Sequence, residues 1–218
     1  MDSFGRTVSQ AEPYEIDFSG KAEVVIENAT DEFCSQYSSV PADSCEYMFT
    51  GMSFYKQLIK FGGIMLHSSA VVVDDRAYLF TAPCGTGKST HTALYLREFG
   101  ERAYILNDDK PAVRFEDGKF YAYGTPWSGK DDISANRRVP IAGICVITRA
   151  DKNEISRIGG KAAILGIYSQ TMHPLSEKYM DKVLSTVEKI IETVPIWSLS
   201  CNMDPEAARL SYEAMSNP

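Results

Sequence analysis

A glycine-rich segment between a strand-like run and a helix-like run constrains the fold of this chain more than any other feature. Its sequence is Ala-Pro-Cys-Gly-Thr-Gly-Lys-Ser-Thr at positions 82–90, after the apolar run 77–81 and before a helical pattern at 88–99. Glycine adopts positive φ easily, so Gly85 and Gly87 allow successive backbone N–H groups to turn toward an anion. The start of the helix adds the positive end of its dipole. The segment therefore predicts a strand–loop–helix site for phosphate.

The spacing matches the nucleotide-binding pattern G-x-x-x-x-G-K-[ST], except that Ala82 replaces the first glycine. In that pattern Lys88 reaches the β- and γ-phosphates, and Ser89 supplies a hydroxyl ligand to Mg²⁺. We expect six residues to bind the phosphates of ATP: Gly85, Thr86, Gly87, Lys88, Ser89 and Thr90. The alternative is a strand–helix turn that binds nothing. The strand and helix on either side favour the nucleotide site.

An acidic pair follows the next predicted strand. Asp108 and Asp109 come directly after the run 103–106. In an α/β sheet the carboxyl ends of strands line the ligand crevice. One carboxylate there is expected to hold Mg²⁺ and the other to accept the proton of an attacking hydroxyl. The alternative is a solvated turn before Pro111.

The order of strand-like and helix-like segments predicts an α/β protein with C-terminal helices. Strands are predicted at 22–27, 64–73, 77–81, 103–106, 112–115, 119–123, 141–148, 154–158 and, as an edge strand, 196–199. Turn signals at Asp74-Asp75 and Asp117-Gly118 predict hairpins, so the sheet should be mixed. Helices are predicted at 52–61, 88–99 with Ala93, Leu96 and Phe99 three apart on one face, 180–194, and from Asp204-Pro205 onward. We expect residues 1–60 to form an extension packed on a nucleotide-binding domain at 61–218.

Composition narrows the classes of partner. The formal net charge is −7, whereas nucleic-acid-binding proteins usually carry a basic face. No apolar run approaches the roughly 20 residues of a membrane span, and the N-terminus lacks the apolar core of an export signal. The five cysteines have no metal-site spacing, and reduced thiols are expected. These features predict a cytoplasmic protein that binds neither nucleic acid nor membranes.

His67 lies in an apolar run, where a single histidine is usually a half-buried structural residue. However, the order His67-Ser68-Ser69-Ala70, a hairpin, the Gly85–Thr90 segment and the Asp108-Asp109 pair resembles the catalytic domains of HPr kinase/phosphorylase and the phosphoenolpyruvate carboxykinases. The resemblance spans about residues 66–148.

The resemblance implies a mixed-sheet nucleotide-binding fold with ATP and Mg²⁺ as cofactors. It implies that His67 faces the metal or the transferred phosphate. It also implies that Asp108 and Asp109 divide the base and metal duties beside Ser89, without deciding which does which. A homo-oligomer is compatible with it.

A glycine-containing basic loop after the acidic pair is the candidate acceptor or nucleotide loop. Its candidate substrate residues are Trp127, which offers a stacking face, and Lys130, Arg137 and Arg138, which offer positive charge for phosphates. The segment 125–138 has no periodic apolar pattern and is expected to be a mobile loop. The alternative is a solvated basic loop with Trp127 packed into the core.

Three functions fit these residues. The first is an ATP-dependent kinase acting on a hydroxyl, with a serine of a peptide or protein as the acceptor. The second is a kinase of the same fold acting on a small hydroxylated metabolite. The third is a nucleotide-sensing module without turnover, which would not need the acidic pair.

Overall fold

The computed structural model describes residues 31–173 and 177–217 of the 218-residue chain. The predicted strand at 22–27 lies outside these residues. The described helices are α1 (Asp31–Gln36), α2 (Ala42–Lys60), α3 (Lys88–Phe99), α4 (Gly160–Tyr168), α5 (Glu177–Thr193) and α6 (Pro205–Ser216), with a short 3₁₀ turn at Gly100–Arg102. The described strands are β1 (Gly63–Met65), β2 (Ser68–Val73), β3 (Arg76–Thr81), β4 (Ala103–Asn107), β5 (Ala112–Glu116), β6 (Lys119–Tyr123), β7 (Arg138–Arg149), β8 (Glu154–Ile158) and β9 (Ile196–Cys201).

Strand β7 lies at the centre of a mixed sheet. Its later residues pair in parallel with β3 on one side and with β9 on the other. Its first residues pair antiparallel with β6, which continues to β5 and β1. Beyond β3 lie β2 and β4, and beyond β9 lies β8 at the edge. The predicted α/β class, mixed sheet and C-terminal helices are confirmed.

Four strand ends meet at one edge of this sheet. Strand β2 is antiparallel to both β3 and β4, so those two strands run the same way as β7 and β9. Their carboxyl ends are Thr81, Asn107, Arg149 and Cys201. The opposite direction of β2 places its first residue, Ser68, at the same edge. We call this the carboxyl edge, where an open α/β sheet usually binds its ligand.

Both predicted hairpins are present, and their turns have the expected backbone. Asp74 and Asp75 between β2 and β3 have φ values of 49° and 58°, and Asp117 and Gly118 between β5 and β6 have values of 48° and 82°. Positive φ at both central residues matches the right-handed twist of the flanking strands. Short Asp side chains and glycine tolerate this region best.

Helices cover both faces of the sheet, and alternate residues of a strand serve different clusters. On β2, Ala70 and Val72 pack with α2, α4 and α5, whereas Val71 and Val73 pack with α3 and α6. All four of these side chains are fully buried. A strand covered on both faces is apolar at every position, as the sequence of β2 shows.

The predicted strand at 64–73 is wrong as a single element. Residues 63–65 form β1, which pairs with β5 away from the hairpin, and residues 68–73 form β2. The chain passes from one to the other at Leu66 and His67, where the Thr81 hydroxyl donates to the His67 carbonyl at 2.9 Å. The apolar run is continuous because both strands are buried, so hydropathy alone does not reveal the break.

The predicted edge position of 196–199 is also wrong, because β9 lies between β7 and β8. Helix α3 has the predicted bounds, but it buries Lys88, His91, Thr92, Leu94 and Tyr95, and Leu96 is exposed. The aromatic ring of Tyr95 packs on Phe80 and Tyr78, so the face of α3 that carries Tyr95 is the buried one.

No helix within the described residues has the length and apolarity needed to cross a membrane. All five cysteines are free thiols.

Candidate functional site

The glycine-rich loop at 82–87 connects the end of β3 to the start of α3 at the carboxyl edge. Gly85 and Gly87 have φ values of 76° and 118°, a region that favours glycine. Lys88 is the first residue of α3 and is 8% exposed. Its Nζ donates to the Ala82 carbonyl at 3.1 Å and lies 3.0 Å from the His67 Nε2. The lysine therefore folds back over the loop that precedes it.

His67 links the loop to the end of α4. Its Nδ1 lies 3.1 Å from the Gln170 Oε1, an oxygen that can only accept, so Nδ1 carries the proton. The Nε2 atom then offers a lone pair to Lys88 and lies 3.4 Å from Asp109 Oδ1. Burial and then the Lys88 charge lower the pKa of His67, so the ring is neutral at pH 7.

Asp108 is surrounded by hydroxyl groups. Ser69 Oγ donates to its Oδ1 at 2.5 Å, and Ser69 is itself 2.7 Å from the Thr92 hydroxyl. Burial raises the pKa of Asp108, whereas hydrogen bonds from Ser69 and Ser89 lower it. The carboxylate thus touches the first turn of α3 through Ser89. The predicted partners Ser89 and Asp108 lie together.

Asp109 lies on the other side of the acidic turn. Its carboxylate pairs with Lys110 and faces His67. Buried Asn107 fixes the turn, because its Oδ1 accepts from the backbone N–H groups of Asp109 and Lys110 at 3.0 and 2.7 Å. Gly129 packs against this turn, where a Cβ would lie 3.1 Å from the Cβ of Asp109.

These groups surround one open cavity of about 460 Å³, here called the phosphate cavity. The glycine-rich loop, the acidic pair, His67 and Lys130 all line it. Positive charge from Lys88 and Lys130 thus faces the carboxylates of Asp108 and Asp109 across the space. An anion and a divalent cation bound together would match this arrangement. Hydroxyl and carboxylate oxygens, such as those of Ser89 and Asp108, are ligands that Mg²⁺ prefers.

Arg149 is a site residue that sequence reasoning missed. It ends β7 and donates from Nε to the Thr86 carbonyl at 2.9 Å, and its guanidinium also reaches the Gly85 carbonyl. It lines the phosphate cavity and braces the outer side of the loop. A charged residue at the end of a buried strand was the available signal, but only the β3–β7 pairing places it here.

The structure brings Lys130 into the cavity but places the other three candidate substrate residues elsewhere. Trp127 is 5% exposed, stacks on Phe54 with ring centroids 5.0 Å apart, and donates to the Tyr47 carbonyl at 3.0 Å. The guanidinium of Arg137 lies over the ring of Tyr104. Arg138 pairs with Glu116 at 2.7 Å. A stacking role for Trp127 would require this side chain to leave the core.

Comparisons with known proteins give a distant similarity to solved structures and nothing else. No family model matches the chain, and no curated protein matches it. Among solved structures, the HPr(Ser) kinase/phosphatase from Coxiella burnetii aligns with 58% of this chain and 90% of its own, at 15% identity and a TM-score of 0.33. A similarity at that level is partial and does not show a family for this chain.

Proposed function

We propose that this chain is a phosphotransferase that moves the γ-phosphate of Mg-ATP to a hydroxyl, with a serine of a peptide or protein as acceptor. The observation that carries the proposal is the phosphate cavity. There the glycine-rich loop, the lysine at the start of α3 and two carboxylates from the end of β4 meet within one space. This is the donor and charge pattern that phosphoryl transfer requires.

Each residue has a chemical task in this proposal. Backbone N–H groups of the loop and the Nζ of Lys88 bind the phosphates, which would replace His67 as the lysine's partner. Ser89 and Asp108 would hold Mg²⁺, which neutralises charge on the phosphates when bound. Asp109 then remains to accept the proton of the attacking hydroxyl. We assign this duty to Asp109 because His67 and Lys110, which flank it, also border a second depression.

That depression supports a peptide acceptor over a small metabolite. It has a volume of about 280 Å³, is shallow and open, and is lined by His67, Lys110 and residues 169–172. An open surface can receive an extended segment, whereas small-molecule sites enclose most of their ligand. The serine hydroxyl would approach from the side where Asp109 and His67 face each other.

The test follows label from γ-labelled Mg-ATP into a cell extract separated into protein, peptide and small-molecule fractions. The parent is compared with Lys88→Ala, Asp109→Asn and the exposed-lysine control Lys56→Ala. We expect label in the protein or peptide fraction with the parent and the control, and at least a hundredfold loss, on the order expected for removing a catalytic group, in the two site variants. Asp109→Asn should retain Mg-ATP binding.

Other outcomes contradict the proposal in distinct ways. Label confined to the small-molecule fraction would replace the peptide acceptor by a hydroxylated metabolite. Binding of Mg-ATP without transfer into any fraction would indicate a nucleotide-sensing module. Full activity in Asp109→Asn would remove the base assignment.

A further inference from the structure

A second cavity opens from the phosphate cavity along the start of α3. It has a volume of about 380 Å³ and shares Gly87, Thr90 and Arg149 with the phosphate cavity. A ligand bound through its phosphates at the loop could therefore extend into it without leaving the carboxyl edge. We call this space the side cavity.

The walls of the side cavity are largely apolar. Leu94 of α3 and Ile147 of β7 form one part, and Met203, after the end of β9, forms another. Met203 is 74% exposed, the largest exposure among the exposed large apolar side chains of the described residues. Apolar walls at an edge otherwise lined by charged residues suit a flat, weakly polar group better than a further phosphate.

One residue of this wall carries a buried polar atom without a hydrogen-bond partner among the described residues. His91 lines the side cavity and is 2% exposed. Ser211 Oγ donates to the carbonyl of its own helix, so His91 Nε2, at 3.1 Å, donates to that oxygen. The Nδ1 atom is then a lone-pair acceptor, buried with no hydrogen-bond partner in residues 31–173 and 177–217. Such an atom is uncommon and calls for a donor.

Arg149 stands where the two cavities meet. Its guanidinium is held by the carbonyls of Gly85 and Thr86, so it is fixed beside the loop. A planar cation in that position can lie against the sugar or the face of a base while it faces the phosphates. The order of features along the edge is then carboxylates, phosphate loop, arginine and apolar cavity.

We propose that the side cavity is a nucleoside subsite that takes the base of an aminopurine nucleoside triphosphate. The base lies against Leu94, Ile147 and Met203, and its exocyclic amine is the donor that His91 Nδ1 lacks. This inference rests on the proposed function, because it requires the phosphates to occupy the glycine-rich loop.

The experiment measures binding of ATP, inosine triphosphate and inorganic tripolyphosphate, each with Mg²⁺, by calorimetry. The variant is Met203→Ser, which changes an exposed side chain without changing charge, and the matched control is Leu165→Ser, at an exposed leucine of α4 that is 55% exposed. We expect the parent to bind ATP at least about tenfold more tightly than tripolyphosphate, because buried base area adds affinity. Inosine triphosphate, which lacks the amine, should fall between them.

In Met203→Ser, ATP affinity should fall about fivefold, since one apolar wall is lost, while tripolyphosphate affinity stays within about twofold of the parent. Leu165→Ser should change neither. Equal affinity of the parent for ATP and tripolyphosphate, or an equal loss of both in Met203→Ser, would overturn the nucleoside subsite and leave the phosphate site intact. Binding of none of the three by the parent would overturn the phosphate assignment and the subsite with it.

Discussion

Burial and hydrogen bonding change the pKa of Asp108 in opposite directions. Burial favours its neutral form, and hydroxyl donors from Ser69 and Ser89 favour the charged form. The net effect is a raised pKa. Because the charged form is the one that can hold Mg²⁺, the proposed activity depends on the donors as well as on the acid itself.

Ser69→Ala tests this dependence. Loss of a donor to the charged form raises the pKa of Asp108 further, so the acidic limb of the kcat–pH profile should move to higher pH. The measurement is kcat between pH 5 and 9 for the parent, Ser69→Ala and the exposed-serine control Ser156→Ala. An acidic limb that stays at the parent position in Ser69→Ala would show that Ser69 does not act through Asp108.

The His67 ring is predicted to respond in opposite directions to its two neighbours. Lys88→Ala removes a positive charge and should raise the pKa of His67, whereas Gln170→Ala removes an acceptor from Nδ1–H and should lower it. An NMR titration of the imidazole signals measures both, and the same spectra report the tautomer. The variant His173→Gln, at an exposed histidine, identifies the signals of His173 so that they are not assigned to His67. Shifts of the same sign in the two variants would contradict the contact pattern.

Among the elements, the segment 125–138 shows how order arises without a local signal. It was predicted to be a mobile loop, but its backbone is bonded to the end of β4 at several points. Ala135 donates to the Leu106 carbonyl at 2.9 Å, Asp108 donates to the Ile133 carbonyl at 3.2 Å, and Lys110 donates to the Trp127 carbonyl at 3.1 Å. The partners in these hydrogen bonds are far apart in the sequence, so neither periodicity nor composition predicts the bonds.

Gly124 makes that arrangement possible. A Cβ at this position would lie 1.9 Å from the Ala135 carbonyl oxygen and 2.8 Å from that of Leu106, both backbone atoms. Gly124→Ala should therefore reduce the free energy of unfolding by about 1–3 kcal/mol, as overpacking does. Urea unfolding measures it, with Gly159→Ala as the control, because a Cβ there meets nothing within 4 Å. Equal stability of the two variants would contradict the packing.

Elements with local signals were predicted well, and those placed by long-range pairing were not. The loop with Gly85 and Gly87 and both aspartate turns follow from the conformational preferences of a few residues. The position of Arg149 depends on β7 pairing with β3, and the position of His91 on the face that Tyr95 turns inward. Both residues are unremarkable in the sequence. The glycine-rich loop and the acidic pair were thus predictable from the sequence, but the positions of Arg149 and His91 beside them were not.

For the whole molecule, the buried neutral His91 links stability to pH. Burial lowers the pKa of His91 to about 4, whereas the pKa of an unfolded histidine is about 6.5. Above about pH 6.5 the ring is neutral in both the folded and the unfolded state, so its full contribution to the free energy of unfolding is present. As the pH falls below about 6.5 the unfolded state takes up the proton first, so stability falls by up to about 1.4 kcal/mol per pH unit until about pH 4.

Urea unfolding at several pH values measures this slope. His91→Gln should unfold at lower urea than the parent at pH 7, but the difference between the two should shrink between pH 6.5 and 4. His173→Gln, at an exposed histidine, serves as the control. A constant difference between His91→Gln and the parent across this range would show that His91 is not the titrating group.

The central position of β7 determines the order in which the strands of the sheet can pair during synthesis. Its residues 138–140 pair with β6, which precedes it, but residues 144–149 pair with β9, which begins at Ile196. During synthesis from the N-terminus, the loop, the acidic pair and Arg149 leave the ribosome before β9 does. One flank of β7 then stays unpaired until about fifty more residues have been added. A nascent chain should acquire its phosphate cavity before its side cavity, and on the proposed function it should bind a triphosphate before it can bind the base.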